Sequence, residues 1–95
     1  MAAYVIASVD VKDPVRYEEY RRGVLPTITA YGGRFLARGG AVHRLEGDWA
    51  PKRLVIVEFP SLEQATAWWN CPEYAGLKAL RQATSEGSLV VLEGV

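Results

Sequence analysis

Residues 54–74 read LVIVEF, PSLEQ, ATAWWN and CPEY in succession, and this stretch decides the fold. An apolar run ending at Phe59 has the length and β-branched content of a buried strand. Pro60 cannot continue into a helix, whereas Ser61 followed three residues later by Gln64 forms an S-x-x-Q capping box that starts one. Pro72 opens a further helical segment, with Tyr74, Leu77 and Leu80 along one side. The chain here is a strand entering a capped helix, then a second, proline-started helix.

The same grammar occurs earlier. YVIASVDV, from Tyr4, runs into Asp13-Pro14, where Asp13 can accept the free amide at N3 and Pro14 at N1 loses nothing by lacking its own N–H. Tyr17, Tyr20, Val24, Ile28 and Tyr31 then fall three and four residues apart, along one helix face that should pack on a sheet. Pro26 predicts a kink after Gly23, and Gly32-Gly33 the helix end. Residues 34–46 alternate imperfectly around Gly39-Gly40, read here as a bend within one long strand rather than a hairpin turn. Residues 46–51, EGDWAP, then form the turn to a strand at Arg53, and Glu86-Gly87 turns the chain into a last strand over residues 88–93. The order is β-α-β-β-α-β: an α+β, ferredoxin-like single domain over residues 1–95, with a four-stranded antiparallel sheet.

Ninety-five residues lie near the lower limit for a self-sufficient core. Eleven basic and eleven acidic residues cancel, so no global field draws in nucleic acid or anionic lipid, and neither is an expected partner. A lone cysteine, Cys71, can make neither an internal disulfide nor a metal cluster and suits a reducing compartment; the expectation is a cytoplasmic protein without metal or cofactor. No signal-peptide pattern and no run of membrane-spanning length is present.

LVIV at residues 54–57 and LVVL at residues 89–92 are apolar at both strand parities, so both sheet faces want burial. Two helices cover one face. Each Val, Leu or Ile left wet on the other forfeits roughly 1.5–3 kcal/mol, so a second copy's sheet is the expected cover, giving a homodimer.

With these features in place, the chain resembles the small bacterial proteins grouped as domain-of-unknown-function 1330, within the dimeric α/β-barrel (ferredoxin-like) superfamily. The resemblance spans nearly the whole chain. It rests on the tyrosine-rich first helix, Tyr31-Gly32-Gly33-Arg34, Arg38-Gly39-Gly40, Leu45-Glu46-Gly47, Glu58-Phe59-Pro60-Ser61 and Trp68-Trp69-Asn70-Cys71-Pro72-Glu73-Tyr74. It implies a dimer with sheets face to face and a small cavity between each sheet and its helices, but no reaction. Where the family typically reads W-Y-N-S-P-E-Y, this chain has Trp69 and Cys71. The first change removes a phenol, and the second weakens a helix cap because a thiol accepts hydrogen bonds poorly.

Candidate functional residues each carry a plainer reading. His43, the only histidine, is a candidate general base or haem ligand, or an ordinary surface or edge residue of a strand. Glu58, a carboxylate ending an apolar strand, is a candidate base with a raised pKa or the partner of an arginine. Arg34 and Arg38, read as sharing strand parity, with Arg53 on the next strand, form an anion site or solvated edge positions. Tyr20, Arg38, Glu58, Trp69 and Tyr74 are read as lining a ligand pocket on the helix side, although rings at helical spacing also make plain core. Trp49 should pack against the partner or over a pocket rather than stand in water. Cys71 near a helix start lacks an obvious base.

Three function classes follow. One is a small dimeric protein binding an aromatic or anionic molecule in the sheet–helix cavity; another is a cofactor-free monooxygenase or isomerase-like enzyme; the third is a non-catalytic dimeric interaction module. Superfamily kinship supports the enzyme only by fold analogy.

Overall fold

The computed structural model describes all 95 residues. Its elements are β1 (Ala3–Val11), α1 (Pro14–Ala30), β2 (Arg34–Arg38), β3 (Arg53–Phe59), α2 (Leu62–Trp69), α3 (Pro72–Thr84) and β4 (Ser85–Glu93). The sheet order is β2-β3-β1-β4, all antiparallel, which is the ferredoxin-like arrangement with α2 and α3 together in place of the second helix. At 34 × 32 × 16 Å the chain is two layers thick, so one sheet face carries the helices and the other is open.

The helix ends follow local chemistry. Asp13 Oδ1 accepts from the Arg16 amide at 3.2 Å, with Pro14 in the first turn. α1 runs through Pro26 to Ala30, and the turn before that proline has a carbonyl, that of Arg21, which accepts from the Arg38 guanidinium. Gly32, at φ +80°, takes the left-handed conformation that closes the helix, and the Gly33 amide bonds the Ile28 carbonyl at 2.9 Å. Ser61 Oγ caps the Gln64 amide at 3.2 Å. The Gln64 side chain returns to the Ser61 hydroxyl, which donates to Gln64 Oε1 at 3.4 Å. Its Nε2 donates to the Tyr31 carbonyl at 3.1 Å, tying the start of α2 to the end of α1. Cys71 makes no side-chain cap to α3 and is buried.

Odd-numbered residues of β1 point at the helices: Ala3, Val5, Ala7 and Val9 are all buried. The register adds Val55, Val57 and Phe59 from β3 and Leu89 and Val91 from β4 to that side. α1, α2 and α3 supply Tyr17, Tyr20, Val24, Ile28, Ala65, Trp68 and Tyr74. Trp68, Tyr74, Phe59 and Ile28 are essentially fully buried, each contributing roughly 1.5–3 kcal/mol.

The connection between β2 and β3 differs from the expected bent strand. β2 stops at Arg38, Gly39 turns at φ +75° while its amide bonds the Leu54 carbonyl at 2.9 Å, and residues 40–52 form an exposed loop. A left-handed residue breaks the ladder where a bend would have kept it. EGDWAP is thus the far part of a longer loop, and His43 lies in that loop, not in a strand. The last strand begins at Ser85, with Gly87 paired opposite Val9 inside it.

Candidate functional site

A cavity of about 30 Å³ lies between the sheet and the helices. Its walls are Val5, Ala7 and Val9 of β1, Val55 and Val57 of β3, Phe35 of β2, Leu89 of β4, and Val24, Ile28 and Trp68 of the helices. That volume holds about a water or two, so anything larger must displace side chains. Phenols and guanidiniums supply the polar part: Tyr17, Tyr20, Arg21, Arg38, Arg53 and Arg81 also line it.

The phenols are organised from α1 and α3. Tyr20 and Tyr74 hydroxyls lie 3.1 Å apart, and Arg81 Nε donates to the Tyr74 hydroxyl at 3.4 Å. Burial, followed by the neighbouring Tyr74, pushes the Tyr20 phenol well above its ordinary pKa of 10.0, so it stays protonated and serves as a hydrogen-bonding group. Trp68 completes the wall, its Nε1 donating to Thr27 Oγ1 at 3.1 Å.

The arginines are arranged differently from the expectation. β2 carries a bulge: Phe35 pairs with Val57 and Ala37 with Ile56, leaving Leu36 as an extra residue. That insertion reverses parity, so Arg34 stands opposite Glu58 on the open face and Arg38 opposite Val55 on the helix side. Arg34 Nε donates to Glu58 Oε1 at 2.8 Å. Glu58 therefore belongs to an ion pair on the open face and not to the cavity, correcting its expected place beside Arg38. Arg38 lies 4.2 Å over the Phe35 ring, and Arg53 lies 5.9 Å over that of Tyr17. Burial, then the charges of Arg21 and Arg53, lower the Arg38 pKa.

Of the five residues expected to line a pocket, Tyr20 and Arg38 do. Tyr74 is fully buried behind Tyr20, stacked 4.1 Å from Trp68. Trp69 is half-buried against the core, under Lys78 Nζ at 4.2 Å, and lines a separate open apolar groove with Leu89 and Val91. His43 is exposed. Trp49 is 65% exposed within one chain, so nothing in the chain itself packs it as expected. Sequence reading missed Arg81 and Phe35 as cavity residues; the placement of Arg81 depends on how α3 crosses the sheet, which no spacing reveals. No three His, Cys, Asp or Glu side chains cluster, and no helix is long and apolar enough to cross a membrane.

Fold and cavity define a small α+β protein with a ferredoxin-like four-stranded antiparallel sheet. The chain belongs to the family described as Domain of unknown function (DUF1330), whose model matches residues 2–95. Comparison with curated proteins gives no match. Among solved structures it is similar to the RPA0582 protein of unknown function from Rhodopseudomonas palustris, at 20% identity and a TM-score of 0.81, covering 99% of this chain and 82% of that one. It is also similar to SnoaB, a cofactor-independent oxygenase from Streptomyces nogalater, at 10% identity and a TM-score of 0.63, covering 99% and 92%. A third similarity, to Rv0793 from Mycobacterium tuberculosis, has 16% identity and a TM-score of 0.58, covering 100% and 96%. At such identities the likeness is one of fold.

Proposed function

We propose that the protein works as a homodimer closed through the open sheet face, each copy binding a small aromatic or anionic molecule in its sheet–helix cavity. The observation that carries the binding reading is the cavity itself: apolar walls meeting a group of phenols and guanidiniums, a combination suited to orienting a small ligand. The dimer is supported by the open face, where Tyr4, Ile6, Leu54, Ile56, Val90 and Leu92 lie with no second layer over them; Val90 and Leu92 are 56% and 58% exposed. The lone, buried Cys71 suits a reducing compartment such as the cytoplasm.

Binding is favoured over catalysis by what the lining lacks. A cofactor-free oxygenase or isomerase must take a proton from its substrate, and no carboxylate or imidazole lines the cavity. Glu58 faces the other way, His43 is in the exposed loop, and Tyr20 holds its proton too tightly to act as a base near neutrality. Native mass spectrometry of freshly purified protein tests the proposal. The expected result is a dimer carrying extra mass that is lost on denaturation; a bare monomer at micromolar concentration overturns it.

A further inference from the structure

Four arginines, Arg21, Arg38, Arg53 and Arg81, line the cavity, and no carboxylate does. Arg21 is neutralised by Glu18, whose Oε2 lies 3.1 Å from its Nε. Among the chain's ion pairs none involves Arg38, Arg53 or Arg81. Three guanidiniums thus surround one partly dry space without a counter-charge. Such an arrangement is costly unless an anion completes it.

Two details single out Arg38 and Arg53. Arg53 Nε is buried and has no hydrogen-bond partner, although buried donors are nearly always paired. Arg38 and Arg53 are also near enough that the charge of Arg53 helps to lower the Arg38 pKa. Each head lies over a ring, Arg38 over Phe35 and Arg53 over Tyr17, which holds two planar forks in the cavity lining. The Arg53 head also lies where a side chain on Gly39 would be, at the left-handed residue that ends β2. Around and beyond them the walls are hydrocarbon: Val5, Val24, Ile28, Val55, Val57 and Leu89.

We propose that Arg38 and Arg53 together bind the carboxylate of an amphiphilic monoacid whose apolar body occupies the sheet–helix cavity. The inference rests on the cavity being a ligand site, and it adds the ligand's charge, its position and its shape. Guanidinium forks match a planar carboxylate through paired N–H···O bonds, and one such oxygen satisfies Arg53 Nε. A free inorganic anion would satisfy the charge yet leave the apolar walls unfilled. Since the cavity by itself holds little more than water, the body is accommodated by the two arginine heads moving outward on their flexible stems, where they hold the carboxylate.

The test is calorimetric titration of the full chain with benzoate and octanoate, with benzyl alcohol as the neutral counterpart and inorganic phosphate as the body-free anion. Benzoate or octanoate should bind at least about tenfold more tightly than either control. Arg38→Gln and Arg53→Gln should each weaken the acid by about tenfold or more, a loss several times larger than either causes for benzyl alcohol, with Arg38→Lys partly restoring the acid. Circular dichroism and unliganded melting temperature show whether each variant is folded; a misfolded one is replaced by the Lys form. Equal binding of acid and alcohol, or arginine variants without effect, overturns the anion site but leaves the cavity as a ligand site. Phosphate binding as tightly as the acids overturns the amphiphile. Failure of both acids overturns the proposal, and native mass spectra without any adduct would in that case remove the cavity reading too.

Discussion

Arg34 and Arg38, four residues apart on β2, serve opposite faces of the sheet because Leu36 is an extra residue in the ladder. One holds Glu58 at 2.8 Å on the face that a second copy would cover, and the other lines the sheet–helix cavity. A single bulged strand thus divides its charges between the open face and the cavity. It also keeps the cavity side free of the acid that would otherwise neutralise its arginines.

Ile56 lies at the centre of the open face, opposite Ile6 on β1 and beside Ala37 on β2. Ile56→Asp should raise the dimer dissociation constant at least about a hundredfold. Two-fold symmetry counts the loss twice, at roughly 1.5–3 kcal/mol for each copy, before the cost of burying the new charge. Sedimentation velocity against concentration reads the constant, and far-ultraviolet circular dichroism should stay close to that of the parent. A variant that remains dimeric rules out this face as the interface.

The two strand–helix–strand halves were legible because their signals are local: Asp13 with Pro14, Ser61 with Gln64, and the apolar runs of β3 and β4. The paired apolar parities, too, indicated an uncovered face. What was not legible was anything decided across strands. Leu36 carries no mark of a bulge, so Arg34 and Arg38 looked equivalent and Glu58 looked like a pocket residue. Alternation around Gly39-Gly40 suggested a continuing strand, yet the left-handed Gly39 ends it and leaves His43 in a loop. The candidate site was therefore half legible: Tyr20 and Arg38 from helical spacing and charge, but not Arg81, whose position depends on the α1–α3 packing.

Tyr20 gives the alkaline limb of stability. Its folded pKa is raised above the unfolded value of 10.0, first by burial and then by Tyr74. Its contribution is therefore fully present below pH 10 and declines as pH rises further, because the unfolded chain loses a proton that the folded chain keeps. The expected slope is about 1.4 kcal/mol per pH unit. Tyr20→Phe should flatten this limb in urea melts between pH 9 and pH 11, at a cost near neutrality of about 0.5–1.5 kcal/mol for the lost Tyr74 bond. An unchanged slope would show that the phenol ionises equally in both states.

Gly33 sits where β2 leaves α1, and a Cβ there would lie 2.7 Å from both Ile28 Cγ2 and Phe59 Cε1. Both neighbours are fixed in the core, at 1% and 0% exposure, so neither can yield easily. Gly33→Ala should lose about 1–3 kcal/mol, a fall in Tm of several degrees for a domain of this size. Calorimetry measures it. A Tm within a degree of the parent would mean that the Ile28 and Phe59 side chains repack freely.

Trp49 offers the last prediction. It is 65% exposed in one chain, on a loop that also exposes Val42 and Leu45, and beside a shallow hollow formed by Ser8, Asp10, Lys52 and Glu86. An indole has little reason to stand in water on a loop, and this one lies at the margin of the sheet whose open face a second copy would cover. Pro51 restricts the backbone two residues away, holding the ring's approach within a narrow range. Trp49→Ala should raise the dimer dissociation constant by about tenfold or more, as a desolvated aromatic anchor does. The monomer fold should survive, since no backbone bond in the sheet depends on that ring. Tryptophan emission followed across the dimerisation range provides the independent reading: in the parent it should shift to the blue as dimer forms, and in the variant the shift should disappear. A parent spectrum that is unchanged with concentration, together with an unaltered constant, would place Trp49 in solvent in the dimer as well.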